Sequence, residues 1–143
     1  MLSGQALNVL ANKDLVRDGY TSGTRPDHVP GTSFYTSGDN SAGYAVWLNS
    51  AAFDVNTPYN AQRYGNLGFD AVRGPNYVNV DGSVIKHFPI HEAQHIDFRL
   101  EMFNILNHAN LNNPNTTVGN PNFGLVTTRS DSRKIQLGLR YAF

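Results

Sequence analysis

Apolar residues recur two apart at the end of the chain. Ile135, Leu137, Leu139, Tyr141 and Phe143 alternate with Gln136, Gly138 and Arg140. A helix would spread those five around its circumference, whereas a strand places them on one face, so the pattern predicts a strand over 132–143. A second strand is predicted over 94–102. There Ile96, Phe98, Leu100 and Met102 form one face, and His95, Asp97, Arg99 and Glu101, all ionisable, form the other. The phase slips at Phe103 and Ile105, which predicts a bulge or the strand's end. A third strand is predicted over 77–86, with Val78, Val80 and Val84 set against Asn79, Asp81 and Ser83. A fainter alternation over 5–12, where Leu7 and Val9 share a face, marks a fourth.

The connections between these strands alternate in length. A short link, 87–93, joins the third candidate to the second, while 13–76 and 108–131 are long, irregular and rich in Gly, Asn, Pro and Ser. Long structureless loops are uncommon in a compact soluble domain. In outer-membrane barrels, short turns on one side and long loops on the other are the rule. Strands of about 9–12 residues also suit a tilted bilayer crossing, which takes about 9–11. The expected fold is therefore all-β: antiparallel strands forming the last four or so strands of a transmembrane β-barrel, with long irregular loops. The ionisable face would line the lumen of such a barrel, or be the solvated side of a soluble sandwich; alternation fits both.

Composition sharpens this only in places. Charged residues make up 15% and hydrophobic residues 40%, while Asn occurs 17 times, an unusual surface for a cytosolic protein. The net charge is zero, so no electrostatic footprint for nucleic acid stands out. Cysteine is absent, which excludes disulfides and thiolate zinc sites. No apolar run approaches the roughly 20 residues of a membrane-spanning helix. Met1 to Gln5 lacks the basic and apolar regions of a signal peptide. The chain stops on an aromatic residue with no polar tail, unlike the frayed ends of most soluble domains.

The sharpest enzyme signal is His91-Glu92-Ala93-Gln94-His95, an H-E-x-x-H motif that on a helix holds zinc between two histidines with the Glu as general base. Pro89 and the alternation from Ile96 place it at a turn and strand start. Phe98 and Glu101 stand where the extended motif needs Gly and a third His. The expectation is thus no catalytic residue, no metal and no cofactor. Asp39 and Asn40, with Tyr44 and Trp47, suggest a sugar- or ion-binding loop, or simply a polar loop anchored by aromatics. Asn107, Asn110, Asn112, Asn113 and Asn115 are expected to build turns, since Asn tolerates left-handed backbone and bonds its own chain. Neither a glycine-rich phosphate loop nor a serine nucleophile elbow is present.

Several stretches together resemble the C-terminal region of TonB-dependent receptors, in particular the Oar-like or carboxypeptidase-regulatory-like kind common in Acidobacteria. They are Trp47-Leu48-Asn49-Ser50-Ala51-Ala52-Phe53, Gly65-Asn66-Leu67-Gly68, and Arg73-Gly74-Pro75 leading into Asn79-Val80-Asp81. Phe98-Arg99-Leu100-Glu101-Met102-Phe103-Asn104-Ile105-Leu106-Asn107-His108 and Asn113-Pro114-Asn115 follow. Pro121-Asn122-Phe123-Gly124 and Arg133-Lys134-Ile135-Gln136-Leu137-Gly138-Leu139-Arg140 complete the set. The resemblance spans roughly residues 20 to 143.

It implies an outer-membrane location and a share in a barrel of about 22 strands that imports a substrate once TonB releases its plug. Ile96, Phe98, Leu100, Met102, Ile135 and Leu137 would face lipid. Asp97, Arg99, Glu101 and Arg140 would face the lumen. Leu139, Tyr141 and Phe143 would form the signal read by the barrel-assembly machinery. Implied partners are the lipid bilayer, that machinery, the rest of the barrel and plug, and TonB through the full-length protein. With no plug or TonB box in these residues, the whole chain, 1–143, is expected to be a C-terminal fragment that does not transport alone. The alternatives are a soluble secreted β-sandwich that binds carbohydrate and, behind it, a zinc metallopeptidase using His91, Glu92 and His95.

Overall fold

The computed structural model describes residues 2–36, 38–39, 43–92 and 94–143. In chain order its elements are β1 (Ala6–Leu7), β2 (Asp27–His28), β3 (Ala45–Val46), a 3-10 turn (Ser50–Ala52), β4 (Phe53–Asp54), α1 (Asn56–Asn60), β5 (Val72–Arg73), β6 (Gly82–His91), β7 (Gln94–Phe103), β8 (Leu125–Val126) and β9 (Lys134–Ala142). All strand pairs are antiparallel, as the alternation predicts. The chain divides into two compact units: a sheet unit, 77–110 with 130–143, and a loop unit, 2–76 with 111–129.

The sheet unit is built on β6, β7 and β9, of 10, 10 and 9 residues, with β7 in the middle. Its boundaries correct the sequence reading. The third strand starts at Gly82, not Tyr77, because the side chain of Asn110 captures the backbone of Val78. Val78 N–H donates to Asn110 Oδ1 at 2.7 Å, and Asn110 Nδ2 donates to the Val78 carbonyl at 2.7 Å. The same strand then runs on to His91, absorbing most of the expected 87–93 link. His87 pairs with Asp97, Phe88 with Ile96 and Pro89 with His95, before a bulge between Pro89 and His91. Pro89 is tolerated because it stands beside this bulge, a place where a sheet accepts proline. β7 ends at Phe103, where the phase slips, and Asn104 follows with φ 52°, a left-handed turn residue.

The faint fourth strand shrinks to β1, which pairs with β5 in the loop unit instead of joining the sheet. Among the described residues there are thus three long strands where four are expected. Their start and end points also fix the connections. β6 begins, β7 ends and β9 begins at the same end of the ladder, at Gly82, Phe103 and Lys134. Every long connection leaves the sheet there.

The long stretches are irregular, as expected, but within the loop unit they close on a core of their own. Short ladders β1–β5, β2–β4 and β3–β8 frame a core of Val9, Leu48, Ala52, Phe53, Leu67 and Val72, with Phe34, Trp47 and Phe123 packed on it. Phe53 stacks on Phe34 at 5.5 Å and meets Phe123 edge-on at 5.4 Å. Gly124 is required where the chain crosses Leu48: its φ is 75°, and a Cβ there would lie 2.4 Å from the Leu48 carbonyl oxygen. Asp54 serves the start of α1, accepting from the N–H groups of Asn56 (2.8 Å) and Thr57 (3.3 Å).

Candidate functional site

Register assigns the paired residues of the three long strands to a face, because directly opposed residues project to the same side. Val84, Lys86 and Phe88 of β6, Ile96, Phe98, Leu100 and Met102 of β7, and Ile135, Leu137, Leu139 and Tyr141 of β9 share one face. Leu100 stands between Val84 and Leu137, and Phe98 between Lys86 and Leu139. Lys86 is the one charged residue among them, its ammonium 5.9 Å from the centre of the Phe88 ring. This apolar face is open: Leu137 is 68% exposed and Leu139 75%. Tyr141 and Phe143 lie ring to ring at 5.9 Å.

The opposite face carries Ser83, Ile85, His87 and Pro89, then His95, Asp97, Arg99 and Glu101, then Gln136, Gly138, Arg140 and Ala142. Asp97, Arg99, Glu101 and Arg140 are therefore brought together, and histidines join them. His87 Nδ1 and Asp97 Oδ1 are 2.5 Å apart, and His95 Nε2 lies 3.7 Å from the same oxygen. Arg99 Nη2 pairs with Glu101 Oε1 at 2.5 Å. Arg140 stands across from Asp97 in β9. His87 was missed by a reading that placed it in a link. Counting back by twos from Asp97's partner would have found it only with the register in hand.

The H-E-x-x-H motif comes apart in the hairpin. Beyond the bulge His91 pairs with Gln94, so it projects with Gln94 on the side opposite to His95. The two histidines have strand geometry on opposite faces, not a shared helical face. Of the Asp39–Asn40 loop, Asn40 lies outside the described residues, as does Ala93. Trp47 of that loop is held by structure: its Nε1 donates to the Arg73 carbonyl at 2.8 Å and its ring meets Tyr35 edge-on at 6.2 Å. Two of the five asparagines make turns: Asn107 has φ 50°, and Asn115 accepts from the N–H two residues on. Asn110, Asn112 and Asn113 bridge separate segments instead.

Sequence gave no sign of the ion pair in the loop unit. Arg63 grips Asp27 with two bonds, Nη1 to Oδ1 at 2.9 Å and Nη2 to Oδ2 at 2.6 Å, and the Asn66 N–H adds a third at 2.8 Å. These bonds, Arg63 first, hold the Asp27 carboxyl below its usual value although burial opposes them. The partners are 36 residues apart, beyond any local pattern.

Residues 1–136 match the model of a family described as an outer membrane beta barrel domain. The chain belongs to that family. No curated protein and no solved structure matches it. As an outer membrane beta barrel domain, the protein has its place in the outer membrane, and its three long strands are part of a barrel wall. Their dimensions suit that wall. Ten residues at about 3.3 Å each, tilted by roughly 40°, rise about 25 Å, the height of the apolar band of such barrels.

Proposed function

We propose that this barrel domain is the C-terminal wall of a TonB-dependent receptor of the Oar-like kind, and that it works in substrate uptake and not as an enzyme. The observation that carries this reading is the sheet unit itself, with apolar side chains on one face interrupted by Lys86, a charged cluster on the other, and every long connection leaving from one end. The ordered stretches from Trp47 to Arg140 that resemble such receptors supply the finer assignment.

In this reading Ile96, Phe98, Leu100, Met102, Ile135 and Leu137 face lipid, while Asp97, Arg99, Glu101 and Arg140 face the lumen. Leu139, Tyr141 and Phe143 meet the barrel-assembly machinery. Three strands cannot close a barrel, and open backbone edges in lipid cost several kcal/mol per group, so the outer edges of β6 and β9 pair with further strands of the receptor. A plug and TonB act through that larger assembly.

The experiment is to sequence the DNA upstream of the Met1 codon. A frame that runs on through a plug and many alternating strands is the expected result. A stop codon with a ribosome-binding site immediately ahead of Met1 would overturn it.

A further inference from the structure

We propose that His87, His95 and Asp97 form a binding site for a divalent metal ion of the zinc class on the polar face of the β6–β7 hairpin. His87 and Asp97 are a directly opposed pair in the ladder, and His95 is two residues from Asp97 on the same side of β7. One ligand atom from each residue lies within 4.8 Å of the other two. Zinc bound at about 2.0–2.2 Å in a tetrahedron sets its ligand atoms roughly 3.3 Å apart. The separations of 2.5 and 3.7 Å to the Asp97 oxygen bracket that figure, so small side-chain rotations seat an ion without moving backbone.

The ligand chemistry selects the ion. Two imidazoles with one carboxylate suit Zn²⁺, Ni²⁺ or Cu²⁺, whereas Ca²⁺ and Mg²⁺ want oxygen alone. Three protein ligands leave a fourth position open, the arrangement of an exchangeable site and not of a closed structural one. The cationic neighbour Arg99 is engaged by Glu101, and Arg140 stands opposite Asp97 in β9. The site differs from the H-E-x-x-H motif in the residue that matters: His87 replaces His91, which lies on the other face. It rests on the hairpin register alone, so it stands or falls independently of the receptor reading.

The test is titration of the full chain in detergent micelles with ZnCl₂ by calorimetry, far-UV circular dichroism confirming the strands of each variant. The expected result is one zinc per chain, with His87→Ala and His95→Ala each weakening binding by at least about tenfold, since each removes a ligand. His91→Ala and His108→Ala should leave it unchanged. Absence of stoichiometric binding, or a His91→Ala loss as large as that of His87→Ala, overturns the proposal. If a variant loses its strands, the unmodified chain decides. Zinc should protect His87 and His95, but not His91 or His108, from diethyl pyrocarbonate as mapped by mass spectrometry, and uniform labelling would overturn the site.

Discussion

Leu48 and Leu137 are the same residue with opposite fates: one is 1% exposed in the loop unit, the other 68% exposed on the sheet. The loop unit is poor in regular structure, yet it buries Val9, Leu48, Ala52, Leu67 and Val72 among its own side chains. The sheet unit has the long, regular strands but leaves the apolar side chains of β9 bare. In water this is backwards, since regular elements normally exist to bury their apolar side. In the receptor reading proposed above, the contrast is that of a barrel wall with folded loops: the loop unit would lie in water and need its own core, whereas the wall would have lipid for a solvent and need none.

The largest expected effect tests the first half of that contrast. Leu48→Ala should destabilise the loop unit by about 2–5 kcal/mol, because a fully buried leucine leaves a cavity. Trp47, the single tryptophan, is packed on that core and reports the transition by fluorescence in urea. A shift no larger than that of an exposed leucine would break the comparison. Next, Leu137→Arg should weaken insertion of the chain into lipid vesicles by about 2–4 kcal/mol if the residue lies near the bilayer midplane. Gln136→Arg, one residue away on the polar face, should change it by less than about 0.5 kcal/mol. Equal costs at the two positions would remove the distinction between the faces.

A smaller effect is expected at the ion pair. Asp27→Ala should cost roughly 0.5–1.5 kcal/mol in the same fluorescence experiment, since it removes the acceptor shared by the Asn66 N–H and the Arg63 guanidinium. The pH dependence follows in sign. The folded-state carboxyl titrates below its ordinary value of 3.8, so its contribution is complete above that value and is lost as pH falls through the lower, folded-state one. The urea midpoint of the native chain should therefore drop more between pH 6 and pH 3 than that of Asp27→Asn. Parallel curves would show that the pair contributes nothing.

Alternation made β7 and β9 legible almost to the residue, because a period of two is written in consecutive side chains and needs no partner to be seen. It was less informative for β6, where Lys86 sits on the apolar face, Ile85 on the polar one, and Pro89 looks like a breaker. The core of the loop unit is not legible in the sequence for a related reason. Its strands are two residues long, too short to show a period, and its core residues Val9, Leu48, Leu67 and Val72 are scattered over more than sixty positions.

By itself, then, the chain's pattern determined that it makes antiparallel strands, which side chains share each face of β7 and β9, and that its long and short connections alternate. Those are local properties, set by the pleat and by turn-forming residues. Tertiary structure alone decided that His87 meets Asp97 while His91 turns away from His95, that Asp27 finds Arg63, and that the loops close on a core. Each depends on register or on contacts between distant segments, and a one-residue slip in register would have moved every side chain of β6 to the other face.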